Sequence, residues 1–386
     1  MVANKHFDLI VKSPGRINLI GEHIDYNGGH VLPAAINLNL TIRFKKKEGN
    51  VCHVNSKVKN GFKFNIHETL KPKSNNHWGN YVLGVIDGIL KLRPQQLSAF
   101  DCKIESDLPI GSGISSSAAL ECGITFGLNS LFNLNLSKLE QIKIAQKAEH
   151  DFVGTKCGIM DQFAVYMGQE KKVILLNCET LKYELLDANI DPYNIVLLNT
   201  NVEHKLASSE YNNRRKECEK AMEIIKSKYT DYHHLAEVPI DVIKTLENEL
   251  DELVLKRATY VAEEEKRTIN ASKVLQNGDI IKFGELMYAS HDGLSNKYDV
   301  SCPELDFLVD YSKKHNSVIG SRMMGGGFGG CTINLIHEDY IQSYIESITE
   351  AYKDRFDQEL SSFKVSISKG VSLLSLIHIS EPTRPY

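Results

Sequence analysis

Between residues 100 and 131 the chain passes from a strand pattern to a helix pattern through a loop made mostly of glycine and serine. Phe100 to Ser106 reads as a short strand, and Ser115 to Leu131 reads as a helix with small residues leading. Joining them is Pro109-Ile110-Gly111-Ser112-Gly113-Ile114-Ser115-Ser116-Ser117-Ala118-Ala119-Leu120. Such a loop constrains the fold strongly. Glycines let backbone N–H groups turn toward one point, and the helix N-terminus adds the positive end of its dipole there. That point suits a phosphate, and the serine hydroxyls can donate to phosphate oxygens or hold Mg²⁺. The same small residues also let a helix pack close to a sheet, so the loop alone reads either way. Neither common nucleotide fingerprint applies. The lysine of Gly-x-x-x-x-Gly-Lys-Ser/Thr is missing, and Ser116 stands where the third glycine of Gly-x-Gly-x-x-Gly would fall.

A second run, residues 14 to 26, reads Pro-Gly-Arg-Ile-Asn-Leu-Ile-Gly-Glu-His-Ile-Asp-Tyr. It sets Arg16, Glu22, His23, Asp25 and Tyr26 in a glycine-punctuated stretch that reads as a turn. A charged surface loop is one reading. A small polyhydroxylated ligand is the other, because each buried hydroxyl needs a partner and an unpaired one costs ~1–3 kcal/mol. A third run, Cys157-Gly158-Ile159-Met160-Asp161-Gln162-Phe163, places a single aspartate in an apolar context. By itself that aspartate also reads as a helix cap or Asx turn. Gly320 to Cys331 is a further glycine loop, before a strand at Thr332 to Ile336.

These runs resemble the motifs of galactokinases, sugar kinases of the GHMP group that also holds homoserine and mevalonate kinases. Residues 14–26 resemble the galactokinase signature. The 109–120 loop resembles the group's Pro-x-x-x-Gly-Leu-x-Ser-Ser-x nucleotide loop, with Ile114 for the usual leucine. The similarity runs from about residue 13 to 371. It implies an α+β, two-domain GHMP-kinase fold with the active site in the inter-domain cleft. It also implies ATP-dependent phosphorylation of α-D-galactose at C1, the first step of galactose catabolism. N-acetylgalactosamine kinase is the alternative enzyme, and a non-catalytic galactose and ATP sensor the alternative from another class.

The residue roles carried by that resemblance are specific. Asp161 is implied as the base that takes the C1 hydroxyl proton, with Arg16 beside it holding it ionised. Glu22, His23, Asp25, Gly158, Asp161 and Tyr211 are the implied sugar contacts. Gly111, Ser112, Gly113, Ile114, Ser115, Ser116, Ser117 and Ala118 form the implied ATP loop, and Trp78, the only tryptophan, the adenine-side wall. Ser117 and Glu149 are the implied Mg²⁺ ligands. The Gly320–Cys331 loop is expected to close the phosphate and sugar region from the second domain.

The rest of the chain bounds this reading. With 45 basic and 49 acidic residues the net charge is −4, which argues against a nucleic-acid partner. No apolar run approaches the ~18–20 residues needed to span a bilayer, and residues 1–12 lack a signal-peptide core. The eight cysteines form no Cys-x-x-Cys pair, so a structural zinc site is not expected, and free thiols in the cytoplasm are. A monomer acting on galactose and ATP, with no membrane partner, is the expectation.

Helices are predicted at 80–92, 115–131, 137–152, 208–228, 238–255, 260–276, 279–296 and 340–356. Ser137 is the expected N-cap of the third of the eight, with Glu140 completing a capping box. Strands are predicted at 31–44, 51–66, 100–106, 172–177, 195–199, 332–336 and 363–368. The domains are drawn as 1–190, carrying nucleotide and sugar contacts, and 191–372. Residues 373–386 are expected to be a foreign tail, since 376–386 shows no periodicity and carries two prolines.

Overall fold

The computed structural model describes residues 7–74, 77–109, 111–203 and 207–374. The strands are β1 (Leu9–Asn18), β2 (His30–Val31), β3 (Pro33–Lys46), β4 (Val51–Ser56), β5 (Phe62–Asn65), β6 (Phe100–Ser106), β7 (Lys172–Asn177), β8 (Tyr183–Asp187), β9 (Tyr193–Glu203), β10 (Val318–Met323), β11 (Gly329–His337), β12 (Ser361–Val365) and β13 (Ser372–Leu373). The helices are α1 (Gly79–Leu92), α2 (Ser116–Phe132), α3 (Lys138–Ala148), α4 (Met160–Met167), α5 (Ala207–Lys228), α6 (Ile240–Thr245), α7 (Glu252–Gln276), α8 (Ile280–Gly293), α9 (Pro303–Ser312) and α10 (Ile341–Phe356).

Three sheets result. The first has the order β13-β1-β3-β6-β4-β5, the second β10-β11-β9-β12, and the third β2-β7-β8. Only β4 and β6 pair parallel among the described strands. The expected α+β class is therefore what the chain adopts, because hairpin-like antiparallel pairs dominate and helices gather on sheet faces. Helices α2 and α4 lie on the first sheet, and α8 and α9 on the second.

Alternation explains the first sheet. Ile36, Leu40, Ile42 and Phe44 of β3 are buried, and their even spacing puts them on one face. Helix α2 approaches that face closely. A Cβ on Gly127 would stand 2.2 Å from Phe44 Cε2, so only glycine fits there. The small residues of this segment thus serve packing within the helix, while the loop before it keeps Gly111 and Gly113 exposed. Helix α3 carries the expected capping box: Glu140 N–H donates to Ser137 Oγ at 3.2 Å, and Ser137 N–H to Glu140 Oε2 at 2.7 Å.

Several elements differ from the expectations. The 14–26 run is not a turn throughout. Pro14, Gly15 and Arg16 lie in β1, and the register against β3 shifts between Pro14 and Arg16. Proline lacks the N–H a ladder needs, and an irregularity at that point accommodates it. The helix expected over 238–255 is two helices, since Asp251 caps α7 by accepting from Val254 N–H at 2.9 Å. Helices α4 and α9 and strands β8 and β10 were not foreseen. The segment after residue 365 crosses back to the first sheet, with Ile367 bridging Ile36. Leu373 pairs with Val11, and Leu374 N–H donates to Ile10 C=O at 2.9 Å, so residues 373 and 374 are part of the fold and not of a tail. The remainder of that expected foreign segment lies outside the described residues.

Candidate active site

Arg16 leaves β1 beside the first turn of α4. Its Nε lies 2.8 Å from Asp161 Oδ1 and its Nη2 lies 3.1 Å from Oδ2, a two-pronged ion pair. Its Nη1 donates to Gly113 C=O at 2.7 Å, and its backbone N–H to Ile114 C=O at 3.1 Å. Ser115 Oγ donates to Asp161 Oδ2. Burial works against the Arg16 charge, but Asp161, Glu22 and Asp25 outweigh it and hold its pKa above the usual value. The Asp161 side chain is 26% exposed, so a ligand can reach it. The glycine loop, the arginine and the aspartate therefore meet at one point, from three separate stretches of sequence.

In the loop itself, Gly111, Gly113 and Ser116 are exposed, while Ile114 and Ala118 are buried in the core. Ser112 is also buried, its Oγ donating to Pro109 C=O at 2.8 Å. A phosphate would thus meet backbone N–H groups and the outer serines rather than those apolar side chains. Trp78 is half-buried at the start of α1. Its ring packs edge-on to Phe62 at 5.2 Å, and its Nε1 donates to Asn60 C=O at 3.1 Å.

Beyond Asp161 the residues expected to face a sugar gather. Glu22 is buried, and its Oε1 accepts from Gly325 N–H at 2.8 Å and from Arg322 Nη2 at 3.2 Å. Arg322, wholly buried on β10, also donates its Nε to Leu19 C=O at 2.8 Å. Residues 322 and 325 thus grip the end of β1 and the turn that follows it. Gly158 is required where it stands, because a Cβ there would lie 1.9 Å from Asp25 Oδ2. Burial, then the neighbouring Asp161, pushes the Asp25 carboxyl up to about 7. A cavity of about 260 Å³ opens beside Asp25, Gly158 and Arg215.

His23 sits between Tyr211 and Tyr298, at ring separations of 5.4 and 5.0 Å. Burial pushes its pKa down to about 3, so the ring is neutral. Its Nε2 lies 3.2 Å from Gly326 C=O, and a carbonyl can only accept, so Nε2 carries the proton. Nδ1 must then accept from the Tyr26 hydroxyl at 2.9 Å. Tyr26 in turn accepts from Tyr298 at 2.8 Å, and Tyr298 from the Cys218 thiol at 3.1 Å. The direction of the whole chain follows from one carbonyl. Both ring nitrogens of His23 are used inside the protein, and the ring itself packs against Tyr211.

A third group lies on the other side of Asp161. Glu149 ends α3 and is buried at 8% exposure, within hydrogen-bonding reach of the Ser117 side chain. Burial, then Asp161, pushes its carboxyl up to about 7. Its Oε2 accepts from Gln162 Nε2 at 3.0 Å and from the Cys157 thiol at 3.3 Å. Gln162 Nε2 also donates to Glu121 Oε2 at 3.3 Å. Glu121 is wholly buried, and burial followed by Glu149 holds its carboxyl well above the usual carboxylate range.

The sequence reading brought Arg16, Asp161, Ser115, Ser117 and Glu149 into one site, and the structure does the same. It missed Glu121, Gln162, Arg322 and Tyr298. For Glu121 a signal existed: it falls four residues after Ser117, on the same helix face. Arg322 and Glu22 are 300 residues apart, and no spacing rule reaches that far.

Comparison with known proteins agrees with this geometry. Residues 80–169 match the GHMP kinases N terminal domain and residues 271–354 the GHMP kinases C terminal domain. The fold and the loop-centred site therefore define a kinase of the GHMP class. Residues 3–46 match the galactokinase galactose-binding signature. The chain is 39% identical over 378 residues to the galactokinase of Clostridium acetobutylicum, covering 97% of each. It is 39% identical over 364 residues to that of Thermotoga maritima, covering 94% of this chain and 99% of the relative. It matches the crystal structure of Lactococcus lactis galactokinase complexed with galactose at a TM-score of 0.91 and 37% identity, over 95% of each chain. A mevalonate kinase, 20% identical at a TM-score of 0.65, shares the fold. The chain belongs to the galactokinase family.

Proposed function

We propose that catalysis in this enzyme centres on Asp161. The reaction moves the γ-phosphoryl group of ATP to the C1 hydroxyl of α-D-galactose, giving galactose 1-phosphate and ADP. Asp161 takes the hydroxyl proton as the C1 oxygen bonds to the γ-phosphorus. The bond from that phosphorus to the bridging oxygen breaks, and ADP leaves. Phosphoryl transfer asks mainly for positioning and charge stabilisation. Arg16 supplies both, by fixing both carboxylate oxygens of Asp161 and by balancing negative charge near the transferring group. The observation that carries this reading is the contact set of Arg16, which ties the base to the carbonyls of the glycine loop.

The sugar hydroxyls remote from C1 fall to Glu22, Asp25, Gly158 and Tyr211, with His23 forming the wall behind them. The loop residues Gly111 to Ala118 hold the phosphates, and Trp78 borders the adenine side. Ser117 and Glu149 are two hard oxygen donors set side by side, a set that fits Mg²⁺. Bound there, the ion would neutralise charge on the ATP phosphates. The reading takes residues 1–190 as the nucleotide and sugar domain and 191–372 as the domain that closes on it. A monomer is part of the same reading. All eight cysteines are unpaired, in keeping with the cytoplasm. Among the described residues no helix is long and apolar enough to cross a membrane.

Asp161→Asn tests the base. Asparagine keeps size and reach but takes no proton, and loss of a general base costs ~10²–10⁴ in rate. ADP release with galactose should fall by that factor, while calorimetric galactose binding stays close to wild type. A variant kcat within a few-fold of wild type would remove Asp161 from the role.

A further inference from the structure

Gln162 follows the base directly on α4, yet it is fully buried and takes no part in the steps above. Its side-chain nitrogen faces two carboxylates, Glu149 Oε2 at 3.0 Å and Glu121 Oε2 at 3.3 Å. An amide nitrogen has two protons, and here each has its own acceptor. The opposite amide orientation would set a carbonyl oxygen against Glu149 Oε2, which must be ionised to hold a metal, so the nitrogen belongs on this side. The cost of the arrangement is visible on the other side of the amide: Gln162 Oε1 is buried with no hydrogen-bond partner, as is Glu121 Oε1. A leucine or methionine would fill this space without stranding an oxygen. What the glutamine adds is the grip on Glu149 Oε2, which it shares with the Cys157 thiol.

We propose that Gln162 is a positioning residue for the metal ion, holding Glu149 Oε2 so that the remaining oxygen of that carboxylate stands ready beside Ser117. The inference rests on Ser117 and Glu149 as the Mg²⁺ ligands. Groups that hydrogen-bond a metal-binding carboxylate fix its orientation, and removing them typically lowers metal affinity ~10–100-fold. Because Gln162 adjoins Asp161 on one helical turn, the same residue also ties the position of the base to that of the metal carboxylate. Glu121, four residues after Ser117 on α2, is the second anchor that keeps the amide from swinging away.

The test compares wild type with Gln162→Met and Glu149→Gln. Calorimetric ADP binding is measured over a series of Mg²⁺ concentrations, and kcat over the same series. Gln162→Met keeps the volume and removes the donor. The Mg²⁺ concentration at which ADP binding tightens should rise ~10–100-fold, with ADP affinity in the absence of Mg²⁺ unchanged and kcat recovering at high Mg²⁺. A residue that merely fills space would lower thermal stability or kcat without moving the Mg²⁺ dependence, and that result overturns the proposal. Gln162→Leu, apolar and also without the donor, gives the same test if the methionine variant fails to fold. If Glu149→Gln shifts the Mg²⁺ dependence and Gln162→Met does not, the positioning role alone falls. If neither shifts it, the metal assignment falls with it.

Discussion

On the sugar side of Asp161 each group of the Cys218–Tyr298–Tyr26–His23 chain has a partner, and the chain ends on a backbone carbonyl. On the metal side Glu121 and Gln162 each bury an oxygen with none. His23 and Tyr298 on one side and Glu121, Gln162 and Glu149 on the other are all buried, so burial does not separate them. Charge does. The aromatic side is neutral hydroxyls, a thiol and a neutral imidazole, which can satisfy one another in series. The acidic side sets Glu121 and Glu149 around a single amide, with Asp161 close enough to raise both carboxyls, and the amide's two donors leave an oxygen of Glu121 unpaired. The first arrangement presents a wall that is set before any ligand arrives. The second leaves negative charge that a cation would stabilise, and it puts the stability cost of the site in one place.

The larger expected effect lies on the acidic side. Glu121 keeps its proton in the folded chain at pH values where the unfolded chain has released it, from about pH 4.3 upward. The folded state therefore loses stability as pH rises through that range. Glu121→Gln removes the titrating group, so the variant should gain on wild type between pH 5 and pH 8. A gain on the order of 1–3 kcal/mol is expected from the size of a buried, poorly paired polar group. Chemical denaturation at the two pH values, without nucleotide, reads it. A constant difference between variant and wild type would mean that folding does not raise the Glu121 carboxyl.

The smaller effect lies on the aromatic side. Tyr298→Phe deletes the hydroxyl in the middle of the chain and leaves Tyr26 without its donor. The loss should be about 1 kcal/mol and the same at pH 5 and pH 8, because no member of the chain titrates between them. The galactose KM should rise a few-fold as His23 loses its fixed orientation. A loss that grows with pH would erase the contrast between the two sides.

Much of this site was legible in the sequence because its ligand-facing residues travel in short runs. Arg16 to Tyr26, Gly111 to Ser117 and Gly158 to Asp161 each keep their functional groups within a dozen positions. What was not legible are the contacts that hold those runs to one another. Pro14 and Gly15 hid a strand, since neither residue favours a ladder. Gln162 reads as an ordinary neighbour of Asp161 until Glu149, 13 positions earlier, folds against it. Arg322 looks like one cation before a glycine loop, and only the meeting of β10 with the end of β1 shows that it holds Glu22. Glu121 sits among alanine, leucine and cysteine, where periodicity marks a core position but not the acid that fills it.

The most direct measurement is a coupled assay of ADP release by the purified protein with galactose, N-acetylgalactosamine and glucose. A site that hydrogen-bonds each hydroxyl of one sugar rejects an epimer strongly, by ~10⁴ or more, because its own buried groups go unpaired. The account predicts the highest kcat/KM for galactose and very poor turnover of glucose. A higher kcat/KM for N-acetylgalactosamine, or no ADP release with galactose, would contradict it.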